Sequence, residues 1–435
     1  MKNYRMLAVV VLVALMFVSI YTMISDSAAQ ETHFADLKQK ASQYYEDGLF
    51  AKAASVYAEI IEMDNKIDYY LKIIDMYYEA GETDACQAWC NKVTDEFPQD
   101  PTGYERLLRL YVEQGSPAKA FKVLDEVDAR GLSSEAITAY RSQIDFLYYV
   151  EYISAESISQ PCSGVAALYQ DGSWGVISSK GNTIAMPQFT NVSCFANDMI
   201  AVCDEGLWYF MGSDGQYIYN VTNEITGNVA DVGVYNDGLF PASNGEKFRY
   251  YNIQFENILS EYDFAGTFNN NVAAVYNNGK WQLINTEGKV ITKATYEDIA
   301  VNERDICCVQ DRIFVKENGA YYLIDSAGKR IGEEYFEQVC VFGNGNLAAV
   351  KQKGRWGFIN TSGEVVISPK YDDAKSFSNG LAAVKIDGLW GYIDDTSAER
   401  IEPQYLSCTS FTEEGTAFAE KENGWNILKL YRSNH

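Results

Sequence analysis

Histidine is almost missing from this chain: 435 residues contain two, His33 and His435, one near each end. A Ser-His-Asp or Cys-His catalytic arrangement needs an imidazole beside its nucleophile, so that chemistry has no base here. A histidine-based zinc centre lacks its ligands for the same reason. No GxxxxGK[ST] or GxGxxG stretch follows a strand pattern, which leaves nucleotide binding without a phosphate cradle. No DxDxDG-type calcium loop and no CxxC pair with metal-ligand spacing occur either. These absences point to a non-catalytic protein with no cofactor and no metal.

Positive charge is also short. Sixty Asp and Glu stand against 35 Lys and Arg, for a net charge of −25. Such a chain repels nucleic acid, whose binding requires phosphate neutralisation. The nine cysteines form no disulfide framework. Cys86 and Cys90 lie four apart on an expected helix, as a packed face or a disulfide, and Cys307 and Cys308 point to opposite faces of a strand. Cys162, Cys194, Cys203, Cys340 and Cys408 read as small buried hydrophobes. Paired carboxylates could in principle serve a hydrolase, but Asp372-Asp373 and Asp394-Asp395 recur at turn or strand-end positions, which argues for structure.

What is abundant is repetition. Eight small turns end in Gly and are followed within three residues by an aromatic: Trp174, Trp208, Phe248, Trp281, Tyr321, Trp356, Trp390 and Trp425, spaced 34, 40, 33, 40, 35, 34 and 35 apart. The pair Asp387-Gly388 separates the apolar runs Leu381-Ala-Ala-Val384 and Trp390-Gly-Tyr-Ile393, a strong hairpin signal because type I′ turns need φ > 0 at both central residues. A second turn follows nine residues after the first in most copies, and a third strand runs through Val365-Val-Ile367 to Tyr371. Each unit of about 36 residues therefore reads as an antiparallel meander, and a fixed period of this size marks a repeat architecture.

These features resemble the WG (Trp-Gly) β-repeat family. The resemblance rests on Trp174-Gly175, Trp356-Gly357 and Trp390-Gly391, on the endings Ile324-Asp325, Ile359-Asn360 and Ile393-Asp394, and on Pro369-Lys-Tyr371 and Phe377-Ser-Asn-Gly380. It covers residues 151–435. Several copies depart, with Tyr209, Arg249, Gln282, Tyr322 and Asn426 in place of the glycine. The last copy stops after its hairpin, Phe418 to Leu430, and the stretch Glu151 to Ile158 could complete it. The expected fold is a closed, β-propeller-like ring of eight small blades, with an open β-superhelix as the alternative. The repeat tryptophans Trp174, Trp208, Trp281, Trp356, Trp390 and Trp425 read as structural anchors, since a residue recurring in every copy packs blades. A ligand site would come from loop residues that differ between copies. Tyr235-Asn236-Asp237 and Phe268-Asn269-Asn270-Asn271 are candidates of that kind.

Before the ring, residues 33–150 carry helical periodicity. Gly48, Gly81 and Gly115 fall 33 and 34 residues apart, with Ala53, Cys86 and Ala120 following at similar offsets. This resembles tetratricopeptide repeats, in which such a glycine sits where two helices pack closely: three units and a capping helix from Ser133 to Val150. At the extreme N-terminus, Lys2 and Arg5 precede the uncharged stretch Met6 to Ile24. Its nineteen residues just reach bilayer length. Residues 1–29 are thus expected to be a signal anchor, or a signal peptide cleaved after Ser27-Ala28-Ala29. The positive flank places the remainder outside the cytoplasm. The expected function is a membrane-anchored, extracytoplasmic scaffold that binds protein partners through repeat surfaces, with a carbohydrate- or cell-wall-binding receptor as the alternative.

Overall fold

The computed structural model describes residue 16, residues 29–292 and residues 294–433. The chain divides between Leu147 and Tyr148 into two compact units.

The first unit is helical. After α1 (29–46) come α2 (Phe50–Met63), α3 (Ile67–Glu79), α4 (Thr83–Glu96), α5 (Pro101–Glu113), α6 (Pro117–Ala129) and α7 (Glu135–Ile144). Each buries one face, as with Tyr69, Tyr70, Ile73, Ile74 and Met76 on α3. The periodic glycines end helices and do not pack them together. Gly48, Gly81 and Gly115 have φ of 71°, 72° and 60° and no atom within 4 Å of a built Cβ. In each case the glycine N–H and the following N–H bond back three and five residues, as with Gly81 to Tyr78 and Glu82 to Tyr77. That is the Schellman cap, which needs a left-handed residue. Close helix contact falls instead at Gly103, where a Cβ would lie 2.7 Å from Val93. The capping helix also ends early, at Ile144, because Tyr148–Ile153 is a strand of the second unit. Cys86 and Cys90 are free, buried thiols.

The expectation of a single-pass membrane protein is corrected. Among the described residues no helix is long and apolar enough to cross a membrane. From α2 onward the named helices have 14 residues or fewer. That is about 20 Å, short of the roughly 30 Å hydrocarbon core. The segment 6–24, assigned to the anchor, lies outside the described residues apart from Met16. The signal anchor and the membrane location resting on it are withdrawn together.

The second unit is an eight-bladed β-propeller. Its sheets, blades I to VIII, occupy residues 157–189, 191–220, 231–251, 264–284, 298–324, 338–371, 373–405 and 407–430. Every blade begins with a two-residue inner strand, such as Asp373–Ala374, followed by a long hairpin. That brevity is how a unit of about 36 residues holds a four-stranded sheet in blades I, II, VI, VII and VIII; the sheets of blades III, IV and V have three strands. Blade VIII takes its outer strand from the start of the domain: Tyr148–Ile153 pairs antiparallel with 425–430, from Tyr148 opposite Leu430 to Ile153 opposite Trp425. Glu151 adds an ion pair of 2.5 Å to Lys429. The ring is closed, as favoured over the open superhelix.

The apolar runs in the second strand follow from burial on both faces. Leu347 and Ala349 join the core shared with blade VII, and Ala348 and Val350 the core shared with blade V. Ile158, Ala166, Leu168 and Ile177 of blade I meet Phe418, Trp425 and Ile427 of blade VIII, so the same packing crosses the closure. The hairpins are type I′ at six of the eight turns, with φ of 49–53° at the first residue, from Asp171 to Asp387, and 76–86° at the following glycine. An acid from the preceding inner-strand segment caps several of them: Glu156 accepts from Asp171 N–H at 2.9 Å, Glu297 from Gly319 and Glu337 from Gly354.

The Trp-Gly pair acquires a physical meaning here. In blades I, VI and VII the outer strand has seven residues and carries Pro187, Pro369 or Pro403. The backbone crosses directly over the glycine: a Cβ on Gly357 would meet Ile367 O at 2.5 Å and Pro369 N at 2.7 Å, and Gly175 and Gly391 are alike. Blades bearing Tyr209, Arg249, Gln282, Tyr322 or Asn426 instead lack that proline-bearing strand, so a side chain fits. The repeat aromatic faces an aromatic at the far end of the outer segment: Trp174 opposite Phe189, Trp356 opposite Tyr371, Trp390 opposite Tyr405, Trp281 opposite Tyr296 and Tyr321 opposite Phe336. In blade II, Trp208 N–H instead donates to Thr222 Oγ1 at 2.8 Å. Trp425 Nε1 donates to Glu156 O at 3.3 Å across the closure.

We infer from this placement that the six tryptophans anchor the blades. Trp356→Ala should cost about 3–5 kcal/mol, read as a lowered thermal midpoint. Gly357→Ala should cost about 2–4 kcal/mol through the backbone clash. Gly354→Ala, in open space at φ 76°, should cost only about 1 kcal/mol; equal losses at the two glycines would contradict the crossing-strand explanation.

Candidate functional site

The loop candidates from sequence prove to be joints. Asn197 donates through Nδ2 to Tyr235 O at 2.9 Å, Asn236 to Phe268 O at 2.8 Å and Asn269 to Cys308 O at 2.7 Å. Gln310 continues the series to Gly343 O and Gly345 O, and Asn379 donates to Thr412 O. Gln160 joins the first blade to the last by exchanging two hydrogen bonds with the Ser410 backbone. The amides of Asn236 and Asn269 thus tie blades III and IV each to the blade that follows. The mixed polar and aromatic composition of 235–237 and 268–271 reflects that role: Phe268 is core, and Asp237 accepts from Asn271 N–H.

The paired carboxylates are engaged as well. Asp394 accepts from Thr396 and Ala398 N–H and pairs with Arg400 at 2.6 Å. Asp372 pairs with Arg355, and Asp373 caps Ala374 N–H. Asn285, Asp325 and Asn360 repeat the Asp394 pattern, each bonding N–H groups two and four residues on. This side-chain-to-backbone turn explains the Asp or Asn at the end of the aromatic-bearing strand in these four blades.

One concave site stands out on the propeller axis: a cavity of about 780 Å³ walled by blades V, VI, VII, VIII and I. Its side chains come from the segments just after the inner strands. In blades I, II, III, IV and VII that segment reaches its turn four residues after the inner strand, as from Ala265 to Asn269, and in blades VI and VIII the next strand starts one residue later; in blade V it runs from Ile299 to Val309. The extra residues fold into a loop held by Asn302, whose Oδ1 accepts from Arg304 and Ile306 N–H. The loop is fastened to other blades: Asp305 O accepts from Thr267 N–H at 2.9 Å, and Glu303 O from the Cys194 thiol at 3.1 Å. Blade V thereby places Glu303 and Arg304 at the axis, where they line the cavity with Lys375, Glu413 and Glu414.

The electrostatics are mixed. Glu413 and Glu414 are exposed on the blade VIII turn, whereas Arg304 and Lys375 are half-buried. Neither cation has an ion-pair partner among the described residues. Burial pushes the Cys340 thiol, beside Lys375 and Glu303, up to about 12. The Cys194 thiol is raised by its hydrogen bond with Cys162 and by burial. These thiols stay protonated at neutral pH and are weak nucleophiles. Burial and then the nearby Asp231 charge lift the Asp305 carboxyl to about 6.

Sequence reasoning missed Arg304 and Lys375, although one signal pointed at the loop. The interval from Trp281 to Tyr321 is 40 residues against 33–35 elsewhere, save from Trp208 to Phe248. That other long interval carries the short helix Val221–Glu224, whose Val221 is buried in the core between blades II and III. One excess packs the ring; the other reaches its axis.

Fold and site together define a class: an eight-bladed β-propeller with an axial cavity, preceded in the chain by a helical module. Within that class, a family model for the WG containing repeat matches residues 174–208, 248–281, 283–321, 356–390 and 390–425, and the chain belongs to the WG-repeat family. No curated protein matches it. Among solved structures it is similar to Kluyveromyces lactis Hsv2p, at 11% identity over 55% of this chain and 92% of that one with a TM-score of 0.36. A eukaryotic initiation factor matches at 11% identity over 62% and 83%, TM-score 0.40. The WD40 domain of SCAP from fission yeast matches at 10% identity over 65% and 98%, TM-score 0.36.

Asp305 supplies a pH test. Its folded-state value, about 6, lies above the ordinary carboxylate value of about 4. The folded chain therefore binds this proton more tightly than the unfolded one. The resulting stability is complete below pH of about 4 and is lost as pH rises through about 6. Asp305→Asn cannot ionise and tolerates the positive φ, so it should unfold at a higher temperature than the parent at pH 7.5. At pH 4 the two should coincide.

Proposed function

We propose that this protein is a non-catalytic interaction scaffold that holds a protein partner, with the axial face of the ring as the docking end. The observation that carries this reading is the blade V loop. The other seven blades keep this segment within one residue of a common length, and blade V delivers its extra residues to the cavity walled by blades V, VI, VII, VIII and I. A residue set that departs from a packing repeat is free to serve recognition. The scarcity of histidine and the engagement of the paired carboxylates by backbone and arginine support a binding role over a catalytic one.

Carbohydrate binding is the alternative, and tryptophan placement favours the protein reading. Sugar platforms need exposed indoles, whereas Trp208, Trp356 and Trp425 are buried and Trp89, Trp174, Trp281 and Trp390 half-buried. The test is affinity capture from source-cell extract with residues 30–435 as bait, beside the same bait carrying Arg304→Ala and Glu303→Ala. A stoichiometric protein retained by the first and lost from the second is the expected result. Retention of polysaccharide without any protein would overturn the reading in favour of the glycan alternative.

A further inference from the structure

We propose that the axial cavity is a carboxylate-binding site in which Arg304 and Lys375 hold the anion. The proposal goes beyond the scaffold reading and does not depend on it. Three observations meet at this place. The volume, about 780 Å³, falls in the range that encloses a compact organic ligand or a few residues of peptide. Arg304 and Lys375 both line it, come from different blades, and are half-buried without an ion-pair partner among the described residues. Other half-buried arginines carry ion pairs, as Arg106 with Asp75 and Arg400 with Asp394, whereas half-buried lysines such as Lys316, Lys351 and Lys385 have none among the described residues. Arg304 stands apart from those arginines, and Lys375 lines the same cavity.

The loop that presents Arg304 is built to hold its position. Asn302 closes it internally, and blades II and IV clamp it through Cys194 and Thr267. A side chain on a preorganised loop loses less entropy on binding. The guanidinium offers a planar fork matched to a carboxylate, and the ammonium a second point charge. Glu303, Glu413 and Glu414, which line the same cavity, select against highly charged anions. A phosphomonoester with nearly two charges would meet their repulsion at close range, whereas a monocarboxylate satisfies the two cations with less. Such a carboxylate has two natural sources, a small organic acid or the free C-terminus of a polypeptide inserted along the axis.

Isothermal titration of residues 30–435 with two probes separates them. One probe is a pool of random tetrapeptides with free C-termini, beside the same pool amidated; the other is a mixture of the monocarboxylates acetate, propionate and lactate. The free-carboxylate pool or the small acids should bind, and amidation should abolish the peptide signal. Arg304→Gln and Lys375→Gln should each weaken binding by about tenfold, the loss of one charge-assisted contact. Their thermal midpoints should match the parent, because neither side chain has a partner whose loss would destabilise the ring. A response to peptide alone assigns the site to a C-terminus, and a response to the acids alone to a small ligand. No binding at millimolar concentration, equal binding of the amidated pool, or binding unchanged in both variants would overturn the proposal.

Discussion

Everything in the ring depends on blades that are apolar on both faces. A sheet carrying Ala348 and Val350 on one side and Leu347 and Ala349 on the other cannot end in solvent on either side without exposing a core. Stacking such sheets face to face leaves only closure as a stable outcome. The chain closes by donating Tyr148–Ile153 to the last blade, so that pairing, an ion pair and the apolar cluster between blades VIII and I act at one seam. The strand so placed also seals an edge that would otherwise remain open for pairing with another chain.

Much of this was legible in the sequence because it repeats. The turn glycines, the aromatic at a fixed place and the Asp or Asn ending several of the aromatic-bearing strands recur for reasons of backbone geometry, and repetition makes such signals readable from one sequence. Other features were legible only as departures. The missing glycine in five copies stands in the sequence only as a departure, and the structure turns it into a rule: glycine is required where a proline-bearing outer strand crosses above it, as Pro369 does above Gly357. The periodic glycines of the helical module misled in the other direction. Their spacing suggested close helix contacts, but their positive φ marks helix ends, a distinction that spacing alone does not carry.

The candidate site was the least legible part. Asn236 and Asn269 look like ligand-binding residues by composition, yet they bond to the neighbouring blade, a long-range partnership that no local pattern reveals. Arg304 and Lys375 are 71 positions apart in the sequence and line one cavity only because the ring brings blades V and VII to it. The anchor expected over residues 6–24 rested on hydropathy in a segment outside the described residues, and no described helix takes over its role.

Closure is the claim on which the axis, its cavity and the blade V loop all rest. Native-state hydrogen exchange tests it most directly, by following the amides of 148–153 and 425–430 beside those of the interior strand Leu347–Gln352. A closed ring requires the strand 148–153 and its partner to share protection comparable to the interior strand and to lose it together on unfolding. Exchange of 148–153 at the rate of unstructured chain, while 347–352 stays protected, would show an open array and remove the basis for an axial site.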